Sequence, residues 1–347
     1  GTIASGANAT ITIVVTVNSM ADKAGHSSKD VGGDVMVTST AAAAAPQASP
    51  PIVNLGAASQ FALVGRFVQL HNADVFGNAA IGDDGTCSPA PSYNLDLQSP
   101  GILHGIAYKQ TAATVTTTPS NVLGGIVNAD ALVAQAFTDA MNAYNTAIAL
   151  TPDQTITGNV NGVTITASHG GQYVIRITGD INGPLILNPA PGTLTKFIVL
   201  LEGTITLGGS DTVGWADVTG SQNVLIVVKG TGTDMTSHIN NKVYGTMLAP
   251  YRGATFHGFA GAMISGCEFV KFQSDAQINF VGYEVNDWGD APNSYGTLNA
   301  NSGPRHVLEP GLTLGTAIDA EDNGIPNAAR GYLPPLGWAF ATVAFAQ

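Results

Sequence analysis

The fold is decided by a series of short apolar segments in the second half of the chain. Two of them are Phe197-Ile198-Val199-Leu200-Leu201 and Val224-Leu225-Ile226-Val227-Val228. Similar segments lie at 163–166, 173–177, 185–187, 205–207, 243–248, 262–264, 269–272 and 278–283. Continuous apolar runs indicate strands that are covered on both faces. Short strands separated by Gly, Asn, Asp or Pro are typical of a parallel β-helix, in which each coil contacts only its neighbours, and a β-sandwich is the alternative.

One helix interrupts the strands. Between residues 131 and 150, apolar side chains recur at the i, i+3, i+4 and i+7 positions of a single stripe. Asp130 is suited to cap the N-terminus of this helix, and Pro152 marks its end. The pattern predicts a long helix packed on the strand-rich body.

The small number of charged residues and the negative net charge argue against nucleic acid as a partner and favour an extracellular location. Charged residues make up 10% of the 347 residues, against about 25% in an average globular domain. The formal net charge is −12 and the basic residues are spread singly, so we expect no binding to nucleic acid. No apolar segment is long enough to predict a membrane span. A surface of Thr, Ser, Asn and Gly is typical of secreted β-proteins, which predicts an extracellular or cell-surface location.

A linker divides the chain. Residues 39–52 are rich in Ala and Pro, favour extended backbone and offer little to pack. Residues 1–38 precede it and contain an alternating strand at 9–17. A central domain is predicted over 53–284, and 285–347 form a third region. Cys87 and Cys267 have no metal-site spacing, and both a disulfide and two buried thiols remain open.

The central domain resembles a known family. Val243-Tyr244-Gly245-Thr246-Met247-Leu248-Ala249-Pro250, with the Gly-rich stretch 253–264 and the opening block 61–82, is similar to choice-of-anchor A domains of bacterial surface proteins. The long helix beside a strand-rich body is similar to ice-binding proteins of the β-solenoid type. The resemblance covers roughly 55–284. It implies a right-handed parallel β-solenoid with one packed helix, and it brings no catalytic residues.

Both flanks resemble other bacterial surface modules. Residues 1–17 resemble the last strands of an Ig-like repeat. Asp287-Trp288-Gly289-Asp290-Ala291-Pro292-Asn293-Ser294-Tyr295-Gly296-Thr297 is very similar to the opening of GEVED-type domains, and the acidic stretch 318–326 looks like the next segment of that family. The resemblance implies a partial GEVED-type domain over 285–347 on a bacterial surface protein.

Acidic loops in this last region predict a calcium site. Calcium takes oxygen ligands from closely spaced carboxylates, amides and carbonyls. The candidate ligands are Asp287, Asp290, Asp319, Glu321, Asp322 and Asn323. The alternative is that these acidic turns are simply solvated.

The sequence predicts a protein without catalytic activity. It contains no nucleophile elbow, phosphate loop or dinucleotide fingerprint, and its strands hold too few carboxylates to nominate a pair. We therefore expect an extracellular structural or adhesive protein that binds surface glycan, matrix or other copies of itself. Strand exchange through the N-terminal strands would give a homo-polymer.

Two other functions are alternatives to this prediction. The first is ice binding, through Thr-rich strands such as Thr164-Ile165-Thr166 and Thr204-Ile205-Thr206. These strands do not recur at a constant interval, and Thr is also simply a good strand former. The second is an enzyme acting on polysaccharide.

Overall fold

The computed structural model describes residues 51–85, 93–98, 100–116, 121–238, 240–257, 259–266, 268–283, 286–288 and 305–307. Two 3-10 turns are described, Gly56–Gln60 and Val218–Asn223, and one α-helix, α1 (Asp130–Ile148). The strands, in chain order, are β1 (Leu63–Gly65), β2 (Phe67–Phe76), β3 (Ala79–Ile81), β4 (Asn94–Gln98), β5 (Ile102–Leu103), β6 (Ala107–Lys109), β7 (Thr114–Thr116), β8 (Ile126–Asn128), β9 (Gln154–Ile156), β10 (Val163–Thr166), β11 (Gly171–Ile177), β12 (Leu185–Asn188), β13 (Thr195–Leu201), β14 (Thr212–Trp215), β15 (Val224–Val228), β16 (Met235–Thr236), β17 (Lys242–Tyr244), β18 (Thr246–Ala249), β19 (Ala254–Phe256), β20 (Phe259–Ala260), β21 (Met263–Ser265), β22 (Phe269–Asn279), β23 (Asn286–Trp288) and β24 (Arg305–Val307).

Parallel pairing between successive coils builds the body of the protein. One ten-stranded sheet has the order β8-β6-β3-β1-β21-β18-β15-β13-β11-β9, and all of its pairs are parallel. Neighbouring strands in this sheet are separated in the chain by strands of a second, twelve-stranded sheet. This arrangement is a parallel β-solenoid with one long helix, and it confirms the predicted fold class. It excludes the β-sandwich, which needs antiparallel sheets.

The chain builds the solenoid in two passes. It enters in the middle at β1 and coils outward to β8 at one end of the sheet. Helix α1 then leads to β9 at the opposite end, and the later coils return until β21 pairs with β1. A single helix therefore joins the two ends and lies against the ten-stranded sheet, where it contacts β3, β6, β13 and β15. We call this sheet the helix face.

Two buried layers account for the continuous apolar runs. Every residue of β13 and β15 is buried. Because side chains alternate across a strand, Phe197 and Val199 fill the interior of the solenoid, whereas Ile198 and Leu200 pack under the helix. The helix contributes its predicted apolar stripe to the outer layer, including Val133, Ala136, Phe137, Ala140, Tyr144 and Ala147.

The start of the helix corrects one sequence prediction. The N-cap residue is Ala129, with no side-chain cap, and Asp130 is the first helical residue. The Asp130 carboxylate instead accepts hydrogen bonds from the Thr111 backbone N–H at 2.8 Å and the Thr111 hydroxyl at 2.7 Å. These two bonds hold the pKa of Asp130 below its usual value. The residue therefore ties the helix to the preceding coil instead of capping it.

Several predictions fall outside the described residues. They include the N-terminal segment 1–38, most of the linker 39–52, and both Cys87 and Cys267. Of the region 285–347, the structure describes β23 and β24, which form a separate antiparallel pair. The domain boundaries therefore stay predictions. Within the described portion of the chain, no helix is long and apolar enough to cross a membrane.

The two-layer packing predicts a large effect for one substitution. Leu225 is fully buried between the helix face and α1, so Leu225→Ala should lower the free energy of unfolding by about 2–5 kcal/mol, because it leaves a cavity. Thr155→Ala, at an exposed position of β9, is the matched control and should change it by less than about 0.5 kcal/mol. Urea denaturation followed by circular dichroism measures both values. Equal losses for the two variants would contradict the packing described here.

Candidate functional site

The strands of the twelve-stranded sheet form two further faces of the solenoid, which we call the second and the third face. An outward row of aligned side chains crosses the second face. This face is formed by β16, β19, the first half of β22, the first half of β2, β4 and β7. Backbone register places one residue from each successive coil directly beside the next. In order across the face they are Thr206, Thr236, Thr255, Lys271, Gln69, Asp96 and Thr116, and we call them the polar row.

The polar row points to solvent because its neighbours along each strand point inward. Ile205, Met235, Phe256 and Leu70 are all fully buried, and each lies next to a member of the row. Side chains alternate between the two faces of a strand, so the row residues project outward. Thr206, Thr236 and Thr116 are exposed, and the remaining members are half-buried.

Three threonines stand next to one another in this row. Thr206, Thr236 and Thr255 occupy three successive coils, so their backbones are separated by the strand spacing of about 4.8 Å. Thr is β-branched and has few χ1 rotamers, which limits the freedom of its hydroxyl and methyl groups. The result is a regular array of hydroxyl and methyl groups on a stiff backbone.

Side-chain hydrogen bonds fix one border of the same face. The Asn159 amide oxygen accepts from the Asp180 backbone N–H at 2.9 Å, and the Asp180 carboxylate accepts from the Thr204 N–H at 2.9 Å. The Thr204 hydroxyl donates to the Thr233 carbonyl at 3.1 Å. Gly203 precedes this corner, and a Cβ there would lie 2.4 Å from the Gly179 carbonyl oxygen. The coils therefore stack at this border as closely as their backbones permit.

Two histidines lie beside the threonines on this face. The rings of His238 and His257 are stacked with centroids 6.3 Å apart, and the His257 Nε2 atom is 3.2 Å from the Gln273 Nε2 atom. Burial lowers the pKa of His257, and the nearby His238 and Lys271 lower it further. His257 is therefore neutral near pH 7, which keeps an additional charge off the face.

The charged members of the polar row are Lys271, directly beside Thr255, and Asp96 further along the row. Asp96 is held by its neighbours, because its carboxylate accepts from the Gln69 amide at 2.8 Å and from the Gln98 amide at 2.9 Å. Lys271 lies between Thr255 and Gln69. The three threonines thus form a run of small, uncharged side chains that ends at Lys271.

The third face has a different chemistry. It is formed by β10, β12, β14, β17, β20, the last residues of β22, the last residues of β2, and β5. Its aligned outward positions change from Thr164 to Ile186, Gly214 and Tyr244 over four coils. No small polar side chain recurs across these four positions.

The two Thr-rich segments singled out in the sequence are separated by the fold. Thr164 and Thr166 lie on the third face, whereas Thr204 and Thr206 lie on the second face. Thr236 and Thr255, which complete the array, were not predicted. They lie at unequal distances along the sequence because the corner loops differ in length, so a search for a constant interval could not find them.

The predicted calcium ligands lie almost entirely outside the described residues. Asp287 is in β23, where its backbone pairs with His306 of β24. Asp290, Asp319, Glu321, Asp322 and Asn323 are not described. Among the residues that the structure describes, no group of three or more His, Cys, Asp or Glu side chains is placed to hold a metal ion. The calcium site stays a prediction.

Comparison with known proteins gives a consistent set of solved structures. No protein-family model matches the sequence, and no curated protein matches it. An ice-binding protein from the Antarctic ascomycete Antarctomyces psychrotrophicus is 18% identical, with 65% of this chain and 96% of that chain covered and a TM-score of 0.43. An ice-binding protein with antifreeze activity from an Arctic yeast is 22% identical over 66% of this chain and 95% of that chain, with a TM-score of 0.42. A domain of an ice-binding protein from Shewanella frigidimarina is 15% identical over 67% and 99%, with a TM-score of 0.43.

These matches correct the main functional prediction. A structural or adhesive protein was expected, and that expectation is wrong, since the similar solved structures are ice-binding proteins. They agree with the alternative function, ice binding. The arguments against it were the unequal intervals between the threonines and the general preference of Thr for strands. The Ig-like and GEVED-type resemblances and the bacterial origin stay predictions.

The histidine pair predicts a pH dependence of stability. Because the pKa of His257 is lower in the folded protein than its ordinary value of about 6.5, the unfolded chain takes up the proton first as pH falls. The stabilisation is complete above about pH 6.5 and is lost below it. The melting temperature should therefore fall between pH 7.5 and pH 5.5, and His257→Gln should make this decrease smaller.

The matched control for this experiment is His71→Gln. His71 is an exposed histidine on the same face, in register with Gln273. Calorimetry of the three proteins over this pH range measures the effect. A decrease of the same size in the wild type and in His257→Gln would show that His257 does not cause the dependence.

Proposed function

We propose that the protein binds ice through the threonine end of the polar row. The observation that carries this proposal is the alignment of Thr206, Thr236 and Thr255 on three successive hydrogen-bonded coils. Such an array offers a hydroxyl and a methyl group at each step of a fixed spacing. The similarity to solved ice-binding structures is in keeping with the proposal.

The chemistry of threonine suits a surface of ordered water. A hydroxyl both donates and accepts, so it can take the place of a water molecule in a hydrogen-bonded network. The methyl group beside it has no hydrogen-bonding partner and favours a cage of water around it. When both groups recur at a regular spacing, the water that they order is regular too, and it can join a growing ice lattice.

Rigidity supports the same function. Binding to a crystal surface requires that the contact groups already hold their bound positions, since ordering flexible side chains costs free energy. Here each strand of the face is hydrogen bonded to neighbours, and the Asn159–Asp180–Thr204 ladder fixes the adjacent corner. The three-threonine array itself contains no charged side chain, and a strongly hydrated charged group within it would hold water in a different arrangement.

We infer an extracellular location as part of this proposal. Charged residues make up only 10% of the chain, which is typical of secreted β-proteins, and ice in a living organism's surroundings is met outside the cell. The proposed activity needs no catalytic step, no metal and no cofactor. The action is adsorption of one protein face on a crystal.

The test is a bulky substitution on each of two faces. Thr236→Tyr places a large ring in the centre of the array and should reduce thermal hysteresis to less than half of the wild-type value at equal concentration. Thr164→Tyr makes the same change at an exposed position of the third face and should leave the activity unchanged. Melting temperature and circular dichroism establish that both variants are folded.

A third variant separates the two groups of the threonine side chain. Thr236→Val keeps the shape and the methyl group but removes the hydroxyl, so it reports how much the hydroxyl contributes. Absence of thermal hysteresis in the wild type, or equal losses for Thr236→Tyr and Thr164→Tyr, would reject ice binding through the polar row.

A further inference from the structure

The third face carries a cleft at the point where β2 bends. The register between β2 and β22 shifts between His71 and Ala73, and Asn72 has a positive φ of 53°. This bulge interrupts the regular stacking of the coils. The cleft that results has a volume of about 270 Å³, and Asp74, Gln277, Ile102 and Pro100 line it.

The side chains at the cleft come from three neighbouring coils. Asp74 lies in register with Gln277 on one side and with Ile102 on the other. One carboxylate, one amide and one aliphatic side chain are therefore brought to adjacent outward positions. Asp74 is half-buried and Gln277 is exposed, so both residues can be reached from solvent.

An aromatic stack lies two residues further along the same strands. The rings of Phe76 and His104 are 4.1 Å apart between centroids and only 14° from parallel. The His104 Nε2 atom is 3.9 Å from the Asp74 Oδ1 atom, which links the stack to the cleft. Phe76 is 41% exposed, and its backbone partner on the other side is Asn279.

This combination matches the chemistry of a sugar ring. A pyranose has an apolar face of C–H groups, which packs on the π-face or edge of an aromatic ring, and a rim of hydroxyls. Carboxylates and amides are suited to pairs of neighbouring hydroxyls, because each presents two polar atoms in one plane. A few fixed polar groups beside an apolar wall are also the usual composition of a small-molecule site.

The charge of the site narrows the class of ligand. Asp74 is the carboxylate in the cleft, and the whole chain has a formal net charge of −12, so phosphorylated, sulphated and uronic-acid ligands are repelled. A metal ion would find one carboxylate there, fewer than the set of oxygen ligands that calcium requires. A neutral sugar is not repelled by the negative charge and does not need several carboxylate ligands.

We propose that this cleft, with the Phe76–His104 stack, is a binding site for neutral pyranose sugars. The site is a second binding activity on a different face from the polar row. It depends on the bulge at Asn72, whereas the polar row depends on unbroken coil register. The two activities can therefore be removed separately.

The experiment measures binding of four neutral tetrasaccharides to the full chain. The probes are cellotetraose, laminaritetraose, mannotetraose and maltotetraose, followed by saturation-transfer NMR and calorimetric titration. At least one should bind the wild type with a dissociation constant of millimolar or tighter. Phe76→Ala and Asp74→Asn should each weaken that binding at least tenfold.

Three controls make each outcome decisive. Thr236→Tyr, on the polar-row face, should bind sugar like the wild type, and Phe76→Ala should keep the wild-type thermal hysteresis. If Phe76→Ala lowers the melting temperature, the exposed Gln277→Ala variant replaces it, with the same expected loss. Binding of none of the four sugars to the wild type overturns the proposal, and so does binding that Asp74→Asn and Gln277→Ala leave unchanged.

Discussion

In-register hydrogen bonding between successive coils is the constraint on which the rest of this structure depends. Each strand of a coil pairs in parallel with the equivalent strand of the next, so the position of a side chain on the surface is determined by register and not by distance along the sequence. Loops of unequal length lie at the corners between strands and do not change this register. Thr206, Thr236 and Thr255 become neighbours for this reason alone.

The position of helix α1 determines which faces of the solenoid are accessible to a ligand. Because α1 joins β8 to β9, it lies along the ten-stranded sheet and buries the outer side of that sheet with residues such as Phe137 and Tyr144. The Tyr144 hydroxyl also ties the helix to a corner of the solenoid, since it accepts a hydrogen bond from the Gly230 N–H at 3.0 Å. The helix face is thus buried and contributes to stability, so a ligand has access to the other two faces.

Sequence patterns and structure agree where a pattern is local. The continuous apolar runs of β13 and β15 predicted strands buried on both sides, and the helical stripe predicted the packed helix, because burial of neighbouring residues leaves a direct trace in the sequence. The proposed ice-binding surface has no such local pattern. Thr204-Ile205-Thr206 was recognised, but its partners Thr236 and Thr255 depend on loop lengths in between, and the bulge at Asn72 depends on how β2 meets β22.

The two faces not covered by the helix differ in how regular their coil register is. Adsorption to a crystal requires one chemical group to recur at a constant spacing, and any break in register would end the match. A site for a single small molecule requires different groups to converge on one point, which a perfectly regular solenoid cannot supply. The bulge at Asn72 provides that irregularity by bringing Asp74 and Gln277 to the edge of a cleft, beside the ring of Phe76. Regular register on one face and a local defect on another are therefore the two features on which the two proposed binding surfaces depend.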